Sequence, residues 1–387
     1  MPFTNDPTLN RTVSQVSNLP VVPDVESTVF VGRIKVESRP VVVPLVEPTK
    51  QPKPLVTCVP RIKVLGSGAS SGSKLVLNED LARQGYDSDW IIQRTGIKSR
   101  YHLGEGESTS DMAIRAAEKC LLSAGVDASE VDLIIVATVT PDYKTPSTAC
   151  QVQAHLGCEA SALDINAACS GFIYAMITAS QFVRSGCSRN ALVIGAEAIT
   201  TFLNPEDRKT FPLFGDGAGA VLITADTESE ESSASGILSY RLASEGKLGD
   251  ALCVPGGGAK KPISQDVVDK GEQFLVMDGR AVFKWAVRLI PGVVNELLAN
   301  ADMTLDDIDL FIPHQANLRI IDAAVEDLGI DRSKVFVNLD RYGNTSEASI
   351  PISIAEAVEQ GRIQPGSNVM MVGFGAGLTW GACLFRW

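Results

Sequence analysis

The run Asp164-Ile-Asn-Ala-Ala-Cys169-Ser-Gly-Phe172 joins a strand to a helix and places a cysteine at the junction. Apolar residues from Ala162 to Ile165 form a short strand. After the cysteine, Phe172-Ile-Tyr-Ala-Met-Ile through Phe182-Val has a helical period that Gly186 stops. A strand that turns through small residues into a helix is the building unit of an α/β protein. The junction sets Cys169 on the first turn of the helix, where free N–H groups and the helix dipole favour a thiolate. Small neighbours leave a substrate room to reach the sulfur. A buried, inert thiol is the alternative, and this run alone leaves both readings open.

Outward from that junction, strands and helices alternate from Ile62 onward. Leu133-Ile-Ile-Val-Ala-Thr-Val, Ala191-Leu-Val-Ile-Gly and Ala220-Val-Leu-Ile-Thr read as buried strands separated by helical stretches. Two segments recur at nearly one offset. Leu121-x-x-Ala124 with Val131-Asp132-Leu133-x-Ile135 resembles Leu298-x-x-Ala301 with Ile308-Asp309-Leu310-x-Ile312, and 309 − 132 = 177. Asn190-Ala-Leu-Val-Ile-Gly195 resembles Asn368-Val-Met-Met-Val-Gly373, and 368 − 190 = 178. Two matches at one spacing predict a duplicated βα half, with a site at the seam drawing on both copies. The expected division is an arm over 1–60, a first half over 61–232 and a second over 233–387. The arm mixes valine and proline (Leu19-Pro-Val-Val-Pro, Pro40-Val-Val-Val-Pro), which blocks regular structure and predicts an extended or disordered segment. A short strand over Val29–Val36 is the one exception we expect there.

The chain has 387 residues, enough for two core layers or two fused subdomains, and a net charge of −12. That charge argues against nonspecific binding to nucleic acid or to an anionic membrane, both of which need a basic surface. The eight cysteines are scattered, with no CxxC pair and no Cys/His cluster at metal spacing. No charged-then-apolar leader precedes Met112, and no apolar run approaches the roughly 20 residues of a membrane span. The expectation is a cytoplasmic protein with reduced thiols.

Of three histidines, His314 stands out. It ends the strand Asp309-Leu-Phe-Ile-Pro and precedes a helix from Asn317, a position where α/β folds keep functional groups. His155 reads as a structural residue of an amphipathic helix, and His102 as a loop residue. The turn Tyr342-Gly-Asn344-Thr-Ser-Glu-Ala-Ser-Ile-Pro351 offers Asn344 either as a helix cap or as a neutral donor for developing negative charge. Gly373-Phe-Gly-Ala-Gly377 would let backbone N–H groups approach a ligand, and Gly215-Asp-Gly-Ala-Gly219 reads as a structural turn.

Together, Cys169-Ser-Gly-Phe172, His314-Gln-Ala-Asn317, Gly343-Asn-Thr-Ser346 and Gly375-Ala-Gly-Leu-Thr-Trp-Gly381 occur in the order and spacing of one family. Over residues 62–387 the chain resembles a β-ketoacyl-acyl-carrier-protein synthase III, with Asp87-Ser-Asp-Trp90-Ile-Ile-Gln-Arg94-Thr-Gly96-Ile97 as its early signature. The resemblance implies a thiolase-like fold of two pseudo-symmetric βα halves in α-β-α-β-α layers. It implies that the Cys169 thiolate takes the acyl group of an acyl-CoA, and that malonyl on an acyl carrier protein then condenses with it, losing CO₂. His314 and Asn344 would hydrogen-bond the enolate oxygen, and the backbone N–H groups of Cys169 and Ala376 would form the oxyanion hole. A Cys-His-Asn set, rather than one with two histidines, implies a priming enzyme.

By the same resemblance, Trp90 and Arg208 would sandwich the adenine of CoA. Arg94 would contact the pantetheine or its phosphate, and Asn317 the pantetheine arm. CoA thioester is a substrate, with no cofactor and no metal implied. Lys284 and Arg319 are the docking candidates for the carrier, weakened by Glu326-Asp327 where some relatives are basic. Thr145 would line the acyl pocket of a partner subunit in a homodimer and leave room for primers longer than acetyl. Glu347 stands where many relatives carry alanine, and we expect it to face solvent. Three other readings remain: acyl transfer to a different acceptor, a Cys-His-Asn hydrolase, and a non-catalytic scaffold.

Overall fold

The computed structural model describes residues 61–227 and 235–387. The expected arm, its possible strand over Val29–Val36 and the boundary at 232/233 lie outside the described residues. Along the chain come β1 (Ile62–Ser71), β2 (Lys74–Leu77), α1 (Asn78–Ala82), α2 (Ser88–Thr95), β3 (Ser99–His102), α3 (Thr109–Ala124), β4 (Leu133–Ala137), α4 (Thr148–Leu156), β5 (Ser161–Ile165), α5 (Gly171–Arg184), β6 (Asn190–Glu197) and β7 (Gly217–Ala225). Then follow β8 (Gly236–Ser244), β9 (Leu252–Cys253), α6 (Gln265–Asp269), β10 (Val276–Met277), α7 (Gly279–Asn300), β11 (Leu310–Pro313), α8 (Leu318–Leu328), α9 (Leu339–Tyr342), α10 (Ser349–Glu359), β12 (Asn368–Gly375) and β13 (Thr379–Arg386).

Continuous apolar strands must be covered on both faces, and the alternation of side chains shows by what. In β4, Leu133, Ile135 and Ala137 point into a central core, while Ile134 and Val136 point into an outer one. In β12, Val369 and Met371 face the same central core, and Met370, Val372 and Phe374 face a different outer core. The central core therefore lies between two sheets. It is filled by Phe172, Ile173 and Met176 of α5 and by Ile350 and Ile354 of α10. Helix α10 is apolar nearly all round (Ser-Ile-Pro-Ile-Ser-Ile-Ala), the composition a helix needs when both sides are covered. Outside the first sheet lies α3, with Met112, Ala116 and Cys120 against it. Outside the second lie α7 and α8, with Ile290, Val294 and Ile321. The result is the five-layer α-β-α-β-α thiolase-like arrangement.

The duplication is visible in the strand order. The first sheet runs β1-β7-β6-β4-β5, and the second, read from β8, runs β8-β13-β12-β11. In each, an antiparallel pair leads into a parallel one: β7 with β6 and β6 with β4, then β13 with β12 and β12 with β11. A parallel bridge from Phe311 to Val335 stands where β5 stands in the first sheet. The segments paired by sequence, 132 with 309 and 190 with 368, therefore occupy equivalent places beside β4/β11 and β6/β12.

Two sequence expectations are corrected here. The glycines Gly217 and Gly219 begin β7 and do not form a turn. A Cβ on Gly219 would lie 2.5 Å from the backbone of Pro351 and Ile352, so the glycines let α10 lie directly on the strand. His102 is not a loop residue but the last residue of β3, paired with Lys74 of β2. Burial, with Arg100 and Lys74 adding to it, pushes its imidazole down to about 4. His155 fits its structural reading, with Nε2 3.0 Å from Glu118 at the surface.

Candidate active site

Cys169 lies in a single 3-10 turn, Ala168–Ser170, between β5 and α5. Ala168 adopts φ +45°, a left-handed conformation that costs a non-glycine residue energy and is held by its surroundings. Ser170 Oγ donates to Ala167 O (2.7 Å), and Thr379 Oγ1 on β13 donates to the same carbonyl (2.7 Å). The turn is thus tied to the second sheet. Gly375 at the end of β12 lies against Cys169 so closely that a Cβ there would sit 2.8 Å from Sγ. The corresponding turn of the second half, Ser346–Ala348, precedes α10. Ser346 has φ +51°, and its offset from Ala168 is 346 − 168 = 178, the spacing of the repeat. Its hydroxyl lies 3.4 Å from Cys169 Sγ. The two strained turns meet at the pseudo-two-fold seam.

The helix start was expected to favour a thiolate, and the structure corrects this. Burial pushes the Cys169 thiol up to about 11, and Glu197 adds to the rise, against hydrogen bonds from Ser346 and the Cys169 N–H. The thiol is neutral at physiological pH.

His314 follows β11, its N–H donating to Val372 O on β12 (2.7 Å). The next residue, Gly373, passes against Cys169, where a Cβ would lie 3.0 Å from the Cys169 carbonyl oxygen. The imidazole is buried, edge-on to Phe374 (centroids 5.3 Å), and burial pushes its pKa down to about 3. Nδ1 lies 2.7 Å from Ser349 Oγ, which also accepts from the Gln315 N–H at 3.5 Å. A hydroxyl that already accepts there can donate its own proton to Nδ1, which leaves the proton of the neutral ring on Nε2.

Asn344 is buried, and its Oδ1 accepts from the Ser346 N–H at 2.8 Å; this closes a local turn rather than capping a helix, since the N-cap positions are Thr345 for the Ser346–Ala348 turn and Ala348 for α10. The bond occupies the carbonyl and leaves the Nδ2 donors for a ligand. Glu347, expected at the surface, is fully buried. A Cβ on Gly171 would lie 2.9 Å from its Oε2, which places the carboxyl over the first residue of α5.

A cavity of about 1020 Å³ opens onto the sulfur. Cys169, Ser346 and Ala376 are at its reacting end, with Val139, Ile199, Phe202, Leu252 and Leu275 along its apolar walls. Asp142 and Lys144 line it too, whereas Thr145 is exposed and outside its lining. His314 and Asn344 are also outside the lining of this cavity; His314 bonds β12, whose Gly373 lies against Cys169, and Asn344 bonds the Ser346 turn that touches Sγ.

The nucleotide candidates lie apart from the cavity. Trp90 on α2 is 41% exposed, the accessibility a stacking platform requires. Gly96, which ends α2 with φ +79°, abuts Leu318, so the helix carrying Trp90 and Arg94 adjoins the start of α8. There Asn317 caps α8 through Oδ1, accepting from Arg319 N at 2.9 Å. Arg208 sits 6.0 Å over Tyr86, a ring the sequence reading missed, and Tyr86 itself stacks on Phe211. The Arg319 guanidinium on α8 lies 5.7 Å over Phe283, the residue before Lys284 on α7. Tyr86 and Glu197 had no motif to mark them, and Ser346 and Ser349, though they fall in quoted stretches, had nothing local to mark their contacts, because each meets a partner distant in sequence.

Comparison with known proteins places the chain. The 3-oxoacyl-(acyl-carrier-protein) synthase III family profile matches residues 163–246, and the profile of that family's C-terminal part matches 298–387. The chain is 50% identical over 339 residues to the beta-ketoacyl-(acyl-carrier-protein) synthase III of Rhodopirellula baltica, covering 84% of this chain and 98% of that one. It is 46% identical over 327 residues to the namesake from Natranaerobius thermophilus, covering 84% and 99%. The crystal structure of 3-oxoacyl-(acyl-carrier-protein) synthase III from Aquifex aeolicus superposes with a TM-score of 0.77 at 43% identity, covering 84% of this chain and all of that one. The chain belongs to the β-ketoacyl-acyl-carrier-protein synthase III family, the condensing acyltransferases of the thiolase-like fold that initiate fatty acid synthesis.

Proposed function

We propose that Cys169 accepts an acyl group from acyl-CoA and that the acyl-enzyme then condenses with malonyl-acyl-carrier protein, with loss of CO₂, to give a 3-ketoacyl product. The observation that carries this reading is the position of the sulfur: pinned between Gly375 and Ser346, at the end of a large apolar cavity. With burial pushing the thiol up to about 11, positioning and loss of the proton during attack matter more than a resting anion. The Cys169 and Ala376 N–H groups are the donors we assign to the tetrahedral oxygen.

In the second half-reaction, CO₂ departs and the thioester oxygen of the extender becomes negative. His314 and Asn344 are the donors we assign to it. A neutral imidazole carrying its proton on Nε2 suits this role, because it donates without needing to be charged. Both are neutral, buried groups, and a donor in a site shielded from water acts more strongly on a developing charge than one in solution. CoA enters as substrate, with Trp90, Arg94, Arg208 and Asn317 as its grip. Lys284 and Arg319 are the carrier's contacts, and the active form is a homodimer in which Thr145 faces the partner's pocket. The cavity volume supports primers longer than acetyl.

Intact-mass spectrometry after mixing the protein with acetyl-CoA or octanoyl-CoA tests this. The expected result is one acyl group per chain, lost completely in Cys169→Ala, followed by 3-ketoacyl product once malonyl-acyl-carrier protein is added. Label persisting in Cys169→Ala would overturn the nucleophile. Free acid released at full rate with water as sole acceptor would turn the reading to a hydrolase.

A further inference from the structure

Two carboxyl groups lie behind the nucleophile, and the condensation just described uses neither. Glu197, the last residue of β6, and Glu347, in the turn before α10, are both 0% exposed. Their hydrogen bonding is unequal. Glu197 Oε1 accepts from Thr138 Oγ1 (3.0 Å), the Val139 N–H (2.7 Å) and Thr140 Oγ1 (3.1 Å). Among the described residues, nothing donates to Glu197 Oε2 or to either oxygen of Glu347. Although Glu347 lies over Gly171, it accepts no N–H from the start of α5.

A buried carboxylate without donors is costly, and two facing one another cannot both be ionised cheaply. One proton resolves two of these three orphaned oxygens at once. Carried by Glu347 and donated to Glu197 Oε2, it neutralises the unsupported acid and leaves the charge on the acid that three donors already hold. The Glu347 turn packs on β6, where a Cβ on Gly195 would lie 2.6 Å from the Glu347 carbonyl oxygen, two residues before Glu197. Among the described residues, the titratable groups facing Glu347 are Glu197 from β6 and Cys169 from the turn before α5; Thr138, Thr140 and Ser346 around the pair are uncharged. The affinities run the same way. Burial first, then Glu197 and Cys169, push Glu347 well above the ordinary carboxyl range, and burial raises Glu197.

We propose that Glu347 and Glu197 form a carboxylic acid–carboxylate pair that shares one proton behind the Cys169 sulfur, and that loss of this proton suppresses the nucleophile. With the proton in place the pair carries one negative charge. When it is lost to solvent, a second charge appears beside Sγ, and the thiolate becomes harder to form. Glu347 is thus a positioning residue that sets the alkaline limit of Cys169 reactivity. This rests on Cys169 being the nucleophile, though not on the identity of the acyl acceptor.

The test reads the thiol directly. The rate of iodoacetamide alkylation at Cys169, followed by peptide mapping, is measured against pH for the wild type, Glu347→Gln and Glu347→Ala. Glutamine imitates the protonated acid, so its rate should match the wild type at neutral pH and exceed it at alkaline pH by roughly tenfold, about one pKa unit. Glu347→Ala removes the same charge and should diverge in the same way, which keeps the test decisive if glutamine disturbs the fold. Infrared spectroscopy of the wild type should show a protonated carboxyl band at neutral pH that both variants lose. Curves that superpose at every pH, curves equally far apart already at neutral pH, or no such band would each overturn the pair. Failure of acyl loading would instead count against the proposed function, because alkylation needs no acyl donor.

Discussion

At the scale of single residues, the site depends on groups whose ordinary chemistry is altered by burial. In the proposed mechanism His314 serves as a neutral donor, a role that suits a ring that is enclosed and has Nδ1 2.7 Å from Ser349 Oγ. With its pKa pushed to about 3, the condensation rate should show no histidine titration between about pH 5 and pH 8, where a free imidazole would change charge. Ser349→Ala should remove the partner that holds the ring in the Nε2–H form. The expected outcome is a fall of about 10²-fold in kcat for condensation, the cost of losing one such donor, with acyl loading of Cys169 nearly unchanged. Stopped-flow measurement of the two half-reactions separates these rates. Equal loss in both would show that Ser349 supports the fold rather than the ring. The motif His314-Gln-Ala-Asn317 points to the histidine, but it carries no trace of a serine 35 residues further along the chain.

At the scale of elements, the central layer controls the site, because α5 and α10 each begin at a turn that touches the sulfur. Strand β7 and helix α10 are in direct backbone contact through Gly219. Gly219→Ala would drive a Cβ to 2.5 Å from Pro351 and Ile352 and force the helix outward. We expect a loss of about 1–3 kcal/mol in stability by urea denaturation. Movement of α10 should also shift Ser346 and slow alkylation of Cys169. A variant as stable as the wild type would show that the helix gives way freely. The helical periods of α5 and α8 were readable in the sequence. That Gly217 and Gly219 start a strand was not, because a glycine-rich run carries turn chemistry locally and strand pairing overrides it only in the sheet.

For the whole molecule, the buried ionisable groups make stability depend on pH in two opposing ways. His314 binds its proton less tightly when folded than its ordinary 6.5, so stability declines as pH falls from 6.5 towards 3. The acid pair binds its proton more tightly than the ordinary 4.5. Its contribution is complete below 4.5 and is lost as pH rises through the raised range in which the pair gives up the shared proton. Glu347→Gln cannot lose that proton, so its melting temperature should fall less than that of the wild type between pH 6 and pH 9. Parallel curves in differential scanning calorimetry would argue that the pair is not protonated in the native state.

The sequence by itself determined the strand–helix rhythm and the duplication at an offset of 177–178, and singled out Cys169, His314 and Asn344 as candidates, because periodicity, repetition and short motifs are local patterns. Only the tertiary structure decided the charge states. It encloses the thiol that a helix start was expected to ionise, buries Glu347 where an exposed acid was expected, and brings Ser346 to the sulfur from 177 residues away. Desolvation and long-range pairing set those properties, and both depend on what surrounds a residue once two sheets have closed over the layer between them.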